Sequence, residues 1–202
     1  MLLTGCASHS EKENILGTWK CELDLTERIN SDLSFDTSVI SYSGTDQFKL
    51  DMYMQFRDDD TYKVWIAEES LDDAMDQLIQ SMTADLFRYI EDLLLKEEDR
   101  EMTIDEILES TGVSEDELVE QMFPQETRTA LKNQIVGQFN KEGWFKAEEG
   151  KLFTSADLEH AVDSAVYEKY TLEGNVLTLQ EYINPEGEYF LSMYPMEFHR
   201  QK

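Results

Sequence analysis

The hydrophobic period of the chain changes twice, and no other feature of the sequence constrains the fold as strongly. Between residues 15 and 67 apolar and polar residues alternate, as in strands that are buried on one face. Between residues 68 and 140 apolar residues recur every three or four positions, as in amphipathic helices. Alternation returns over residues 141–202. The pattern therefore predicts one β domain made from two separate parts of the chain, with an α-helical insertion between them.

Eight strands are predicted, three before the insertion and five after it. The first alternates around Trp19 and is followed by a polar connection over residues 26–45. The last is predicted over residues 188–200, with a bend at Pro195. Turn residues separate the strands as in antiparallel hairpins, and closure of hairpin-linked strands removes their exposed edges. The predicted fold is mostly β: an eight-stranded antiparallel β-barrel with a helical insertion between strands 3 and 4.

The insertion is predicted to contain four helices. Three begin at capping boxes, in which Ser70, Thr103 or Ser114 is followed three residues later by Asp or Glu. Pro124 is suited to the first turn of the fourth helix, which continues to Phe139. The apolar stripes of these helices need a burial partner, because short helices gain most of their stability from packing.

The charge of the chain excludes some classes of partner. Asp and Glu number 44 against 17 Lys and Arg, which gives a net charge of −27. Binding to nucleic acid or to anionic lipid headgroups depends on clustered Lys and Arg, so neither is expected. The insertion alone has 20 acidic and 5 basic residues. These residues are either the solvated faces of amphipathic helices or an acidic surface for a cationic or calcium-bridged partner.

The beginning of the chain predicts a location. Leu3-Thr4-Gly5-Cys6 resembles the lipobox of bacterial lipoproteins, and residues 7–14 are small and polar like a tether. The resemblance implies that Cys6 is diacylated and that residues 1–14 are a truncated signal, a lipobox and a tether. Only five residues precede Cys6, so the basic and apolar parts of a signal peptide would lie upstream of Met1. The expected location is outside the cytoplasm, anchored to the cell membrane by lipid.

The first strand adds a resemblance to a fold family. Gly17-Thr18-Trp19 resembles the pattern that opens lipocalins and their calycin relatives. In that family the Trp plugs the closed end of the barrel and a basic residue near the last strand packs across it, which here would be Arg200. As a whole the chain resembles the lipocalin-like lipoproteins of Gram-positive bacteria. The resemblance implies a lipocalin-like barrel in which Gly17, Trp19 and Arg200 have a structural role at the base.

Few residue patterns point to chemistry. The histidines His9, His160 and His199 are far apart and lack metal-ligand spacing. Cys21 has no nearby His and is predicted to be buried in the first strand. Residues 58–69 have the length of an EF-hand loop but lack its glycine, so a solvated turn is expected there. The sequence predicts no catalytic residue, no metal and no cofactor, and hence a protein that is not an enzyme.

The remaining hypothesis is binding of a small apolar or amphipathic ligand under a helical lid. Methionine adapts to varied shapes and is common at accommodating surfaces, although a Met-containing core explains the same residues. The candidate lining residues are Phe48, Leu50, Met52, Met54 and Phe56 on the second strand, Met75 and Met82 in the insertion, and Met193 in the last strand. The alternative is a protein-interaction module that uses the acidic helical insertion.

Overall fold

Eight antiparallel strands close into a barrel in the order in which they follow one another along the chain. The structure, a computed structural model, describes residues 11–33, 43–98, 102–156, 165–185 and 193–202. The strands in this part of the chain are β1 Gly17–Asp24, β2 Lys49–Phe56, β3 Thr61–Ile66, β4 Lys141–Glu148, β5 Lys151–Ser155, β6 Tyr167–Glu173, β7 Val176–Ile183 and β8 Met196–Arg200. Pairing of β8 with β1 completes the closure. The predicted eight-stranded barrel is confirmed, and it is consistent with a lipocalin-like fold.

Alternation along β2 distinguishes the inner face of the barrel from the outer face. Leu50 is fully buried, and Met52, Met54 and Phe56 are at most 5% exposed. The residues between them are half-buried. Full burial of one such side chain stabilises the fold by about 1.5–3 kcal/mol, so the period of two in the sequence has a direct energetic cause.

The helical insertion between β3 and β4 is confirmed. The helices among the described residues are α1 Glu11–Ile15, α2 Thr26–Leu33, α3 Glu68–Glu98, α4 Ile104–Thr111, α5 Glu115–Met122 and α6 Gln125–Phe139. The last four occupy the insertion. At Thr103 and Ser114 both reciprocal bonds of a capping box are formed, as predicted. At Ser70 the prediction was wrong, because α3 begins two residues earlier with Glu68 and Glu69, whose charges favour a helix N-terminus.

Helices α1 and α2 were not predicted. All of α1 except Ile15 lies in residues that the sequence assigned to a polar tether, and α2 lies in the predicted polar connection. The Asp24 carboxylate accepts a hydrogen bond from the backbone amide of Thr26, 3.0 Å away, and so satisfies a free amide at the beginning of α2. Asp24 followed three residues later by Glu27 is a further pattern of the capping-box type.

The last strand is shorter than predicted where it is described. β8 begins at Met196, directly after Pro195, and residues 193–195 lie outside the strand. Proline lacks the amide hydrogen that a ladder needs, so a strand beginning after it is the expected outcome. The predicted segment from residue 188 to residue 192 lies outside the described residues.

The described residues form two compact units. One comprises the chain as far as Leu23 together with Asp51–Ala67 and Phe139–Lys202, and the other comprises Asp24–Leu50 and Glu68–Gln138. The second unit therefore includes α2 and the segment before β2 as well as most of the insertion. None of the helices in the described residues combines the length and apolar composition that a membrane span requires.

Side-chain hydrogen bonds hold the segment before β2 within the second unit. Asn30 donates to the carbonyl of Thr45 at 3.0 Å and accepts from the Thr45 amide at 2.8 Å. The buried Asp85 carboxylate accepts from the Ser43 amide at 2.6 Å and from Arg88 at 2.9 Å. These bonds satisfy polar groups that would be costly to bury alone. The burial of Asp85 is therefore explained by its structural role in holding this segment.

Candidate ligand site inside the barrel

The predicted lining residues differ in burial. Phe48 lies directly before β2 and is fully buried, like Leu50, and the three further residues on β2 continue the inner face. Met75 in α3 is 1% exposed, whereas Met82 in α3 and Met193 before β8 are half-buried. The inner face is extended by an aromatic contact between Phe56 and Phe145, whose ring centroids are 4.8 Å apart. The predicted helical lid stays a prediction.

The residues predicted for the barrel base are in contact with one another. The Arg200 guanidinium lies over the Trp19 ring, 4.1 Å from its centroid, and donates hydrogen bonds of 2.5 Å to the carbonyls of Leu16 and Asn14. The Trp19 indole donates to the carbonyl of Ile15 at 2.8 Å. These contacts lie at the end of the barrel where β1 begins and β8 ends.

Gly17 has a conformation that explains its place in this motif. Its φ is +117°, which side-chain-bearing residues rarely adopt, and a Cβ there would lie 3.2 Å from the Arg200 Nη1 atom. Glycine is therefore needed both for the backbone and for the approach of the arginine.

A polar cluster lies at the opposite end, which we call the mouth, where β4, β6 and β8 begin and β7 ends. Its members are Lys141, Glu168, Tyr182 and Tyr194, and we call them the mouth cluster. Glu168 on β6 pairs directly with Leu152 on β5, which is 1% exposed. Directly paired residues point to the same face of a sheet, so Glu168 points into the barrel.

A β-bulge places Tyr182 on the same face. Tyr170 pairs with Leu179 and Lys169 pairs with Glu181, so Gln180 is an extra residue on β7. Beyond this irregularity Glu168 pairs with Tyr182. Without the extra residue the end of β7 would present its other face to the interior, because side chains alternate strictly in a regular strand.

Tyr194 connects the segment before β8 to Glu168. Its hydroxyl donates a 2.6 Å hydrogen bond to Glu168 Oε1. Burial raises the pKa of Glu168, and this effect is opposed by the Tyr194 hydrogen bond and by the charge of Lys141. Burial and the nearby Glu168 charge also raise the pKa of Tyr194, so its hydroxyl remains a donor at neutral pH.

The mouth cluster has polar neighbours deeper in the barrel. Tyr62 on β3 is 4% exposed and pairs with Gly143 on β4. Burial raises the pKa of Tyr62, a hydrogen bond with Thr154 lowers it, and the charge of Glu168 raises it again. One side of the interior is thus polar, whereas the β2 side is apolar.

The side chains of the mouth cluster provide hydrogen-bond donors and acceptors. The half-buried Glu168 carboxylate accepts hydrogen bonds, and tyrosine hydroxyls both donate and accept them. Burial raises the pKa of the Cys21 thiol to about 11, so the thiol is protonated at neutral pH. Among the described residues no group of three or more His, Cys, Asp or Glu side chains is placed to hold a metal ion.

The sequence did not identify Glu168 or Tyr194. With 44 acidic residues in the chain, one more glutamate in a strand carries no signal of its own. Its inward direction depends on its pairing with Leu152 on β5, which the sequence pattern does not define. Cys6, the predicted lipidation site, and the histidines His9 and His160 lie outside the described residues.

The chain was compared with protein families, with curated proteins and with solved structures, and none of the three comparisons found a match. The resemblance to Gram-positive lipocalin-like lipoproteins stays a prediction from the sequence.

Proposed function

We propose that the protein binds a small amphipathic ligand in its barrel and does not transform it. The apolar part of the ligand would contact the inner face formed by β2. Its polar group, a hydroxyl or an amine, would donate a hydrogen bond to Glu168 beside Tyr194. A closed eight-stranded barrel suits this role in general, because barrels of this size hold either packed side chains or one small ligand.

One observation carries the proposal: an acidic side chain points into a barrel whose β2 side is apolar, and a tyrosine donates a hydrogen bond to it. Desolvation of a carboxyl group is costly, and a hydrophobic residue at this position would stabilise an ordinary core better. Pockets for small molecules typically combine apolar walls with a few convergent polar groups. The mouth cluster and the β2 face have this composition.

Native mass spectrometry of the purified full chain tests the proposal first. We expect a co-purifying mass of a small amphiphile, with its occupancy reduced about tenfold or more in Glu168→Gln and Tyr194→Phe. Glu181→Gln is the matched control, because Glu181 lies on β7 and forms an exposed ion pair with Lys169 at 2.7 Å. Its occupancy should equal that of the wild type.

A defined probe covers the case in which the natural ligand is lost during purification. Nile red is titrated into the delipidated protein and then displaced by dodecylamine or by dodecanoate. We expect dodecylamine to displace the dye at a lower concentration, and Glu168→Gln to remove this difference. Absence of saturable Nile red binding, together with absence of a co-purifying mass, would show that the barrel is a filled core.

The same proposal includes a location, extracytoplasmic and lipid-anchored through Cys6. The lipobox-like sequence before Cys6 and the polar residues after it support this. Expression in a Gram-positive host with the native upstream DNA and an alkyne-labelled fatty acid should label the wild type and leave Cys6→Ser unlabelled. A lack of any in-frame basic and apolar segment upstream of Met1 would contradict the proposal.

A further inference from the structure

The helices α4 and α5 contain no buried residue. Their apolar side chains are instead half-buried or exposed, and Met122 at the end of α5 is 46% exposed. In α3 the buried residues end at Asp85, although the helix continues to Glu98. This part of the second unit therefore has amphipathic helices whose apolar faces are only partly covered.

A groove runs between α3 and α5 within this unit. Its volume is about 490 Å³, which is in the range of pockets that hold ligands or peptide side chains. The apolar residues that line it include Ile79 and Phe87 from α3 and Val119 from α5, and the exposed acidic residues Asp76 and Glu115 also line it. The groove thus combines an apolar floor with negative charge.

Thr83 provides a second, independent observation. It lines the same groove and is 7% exposed, yet its Oγ1 atom has no hydrogen-bond partner among the described residues. A buried hydroxyl without a partner is unfavourable, and such a group in a native structure calls for an explanation, of which a site completed by a bound molecule is one.

We infer that the groove between α3 and α5 is a docking site for a basic amphipathic segment of another protein. An apolar side chain of that segment contacts Ile79, Phe87 and Val119, and flanking Lys or Arg side chains face Asp76 and Glu115. Charge selects this occupant, because residues 68–140 have a net charge of −15. A second copy of the chain and an anionic lipid surface would both be repelled.

Two synthetic peptides test this inference with the full chain. Both have 18 residues and the same Leu and Lys composition, but only one has the spacing of an amphipathic helix. At about 150 mM salt, where distant charges are screened, we expect the amphipathic peptide to bind at least about tenfold more tightly than the scrambled one. It should also slow amide hydrogen exchange in residues 115–122.

Variants distinguish this site from general attraction to an acidic protein. Asp76→Lys and Val119→Lys should each weaken binding of the amphipathic peptide about tenfold or more, because each places a like charge in the groove. Glu109→Lys is the matched control on α4, outside the groove, and should weaken binding less than about threefold. Circular dichroism verifies that each variant keeps its helices.

Any of four results would overturn the inference. One is equal affinity for the two peptides, another is an equal effect of Glu109→Lys and Asp76→Lys, and the third is no measurable binding. Binding that slows exchange only outside α5 would also contradict the proposed site. None of these outcomes depends on the barrel, so failure here leaves the ligand-binding proposal unaffected.

Discussion

At the scale of single residues, the guanidinium of Arg200 combines three contacts that no other side chain can make together. It stacks on the Trp19 ring and donates to two carbonyls before β1. A planar group with several donors in fixed directions is required for this, and an ammonium group lacks that geometry. The charge of Arg200 is therefore less important than its shape.

Replacement of Arg200 by Lys tests this explanation. The variant keeps the charge but loses the stacking and at least one hydrogen bond, so its free energy of unfolding should fall by about 1–3 kcal/mol. Urea denaturation followed by tryptophan fluorescence measures the change. Arg57→Lys is the control, because Arg57 is exposed, and it should alter stability by less than about 0.5 kcal/mol. Equal urea midpoints for Arg200→Lys and Arg57→Lys would contradict the structural role of Arg200.

Glu168 makes stability depend on pH in a definite direction. Burial raises its pKa in the folded state above the ordinary value of 4.5. Between the unfolded and folded pKa values the folded state binds more protons, so stability falls as the pH rises through that range. The free energy of unfolding of the wild type should therefore decrease, relative to that of Glu168→Gln, as the pH rises from about 4 to neutrality.

The substitution Tyr194→Phe should shift the pH dependence of the free energy of unfolding. The Tyr194 hydroxyl lowers the pKa of Glu168, so its removal should extend the loss of stability to higher pH. The measurement is a series of urea unfolding curves for the three proteins across the same pH range. The quantity to follow is the free energy of unfolding of the wild type minus that of Glu168→Gln. If this difference stays constant or increases as the pH rises, the carboxyl group is not enclosed.

At the scale of elements, α4 and α5 depend on their caps because they have no buried residue. The N-cap hydroxyl of Ser114 accepts from the amide of Glu117, whose carboxylate accepts in return from the Ser114 amide. Ser114→Ala should cost about 1 kcal/mol and speed hydrogen exchange in α5 about fivefold. In Ser110→Ala, which removes a hydroxyl at the end of α4, the rates in α5 should be unchanged. Equal rates in all three proteins would show that α5 is held by other contacts.

The elements show why some features could be predicted from the sequence. The strands and the capping boxes at Thr103 and Ser114 depend on residues close together in the chain, and their patterns were sufficient. The beginning of α3 was misplaced because Ser70 also fits a cap, although the helix extends to Glu68. Local patterns thus indicate that an element exists better than they indicate its ends.

The mouth cluster could not be predicted for a different reason. Its residues come from four separate parts of the chain, and closure of the barrel brings them together. Whether Glu168 points inward depends on its pairing with Leu152, and whether Tyr182 shares that face depends on the extra residue Gln180. A shift of one position in either ladder would reverse the assignment. The apolar β2 face of the candidate site could therefore be predicted from the sequence pattern, whereas the mouth cluster could not.

At the scale of the whole molecule, the charge is unevenly distributed. The insertion has a net charge of −15 out of −27 for the chain, and most of it belongs to the second compact unit. Like charges destabilise a compact state by repulsion, and salt weakens that repulsion. The two units should therefore respond differently to ionic strength.

The chain itself provides separate probes for the two responses. Trp19, Trp65 and Trp144 all lie in barrel strands, so tryptophan fluorescence reports the barrel, whereas ellipticity at about 222 nm reports mainly the insertion helices. Raising NaCl from about 10 to 150 mM shortens the screening length from about 30 to 8 Å. We expect the urea midpoint of the helical signal to rise more than that of the fluorescence signal. The contradicting result is that the urea midpoints of the two signals coincide and rise equally at every salt concentration. The barrel and the acidic helices would then unfold as one cooperative unit, and the charge repulsion would be shared between them.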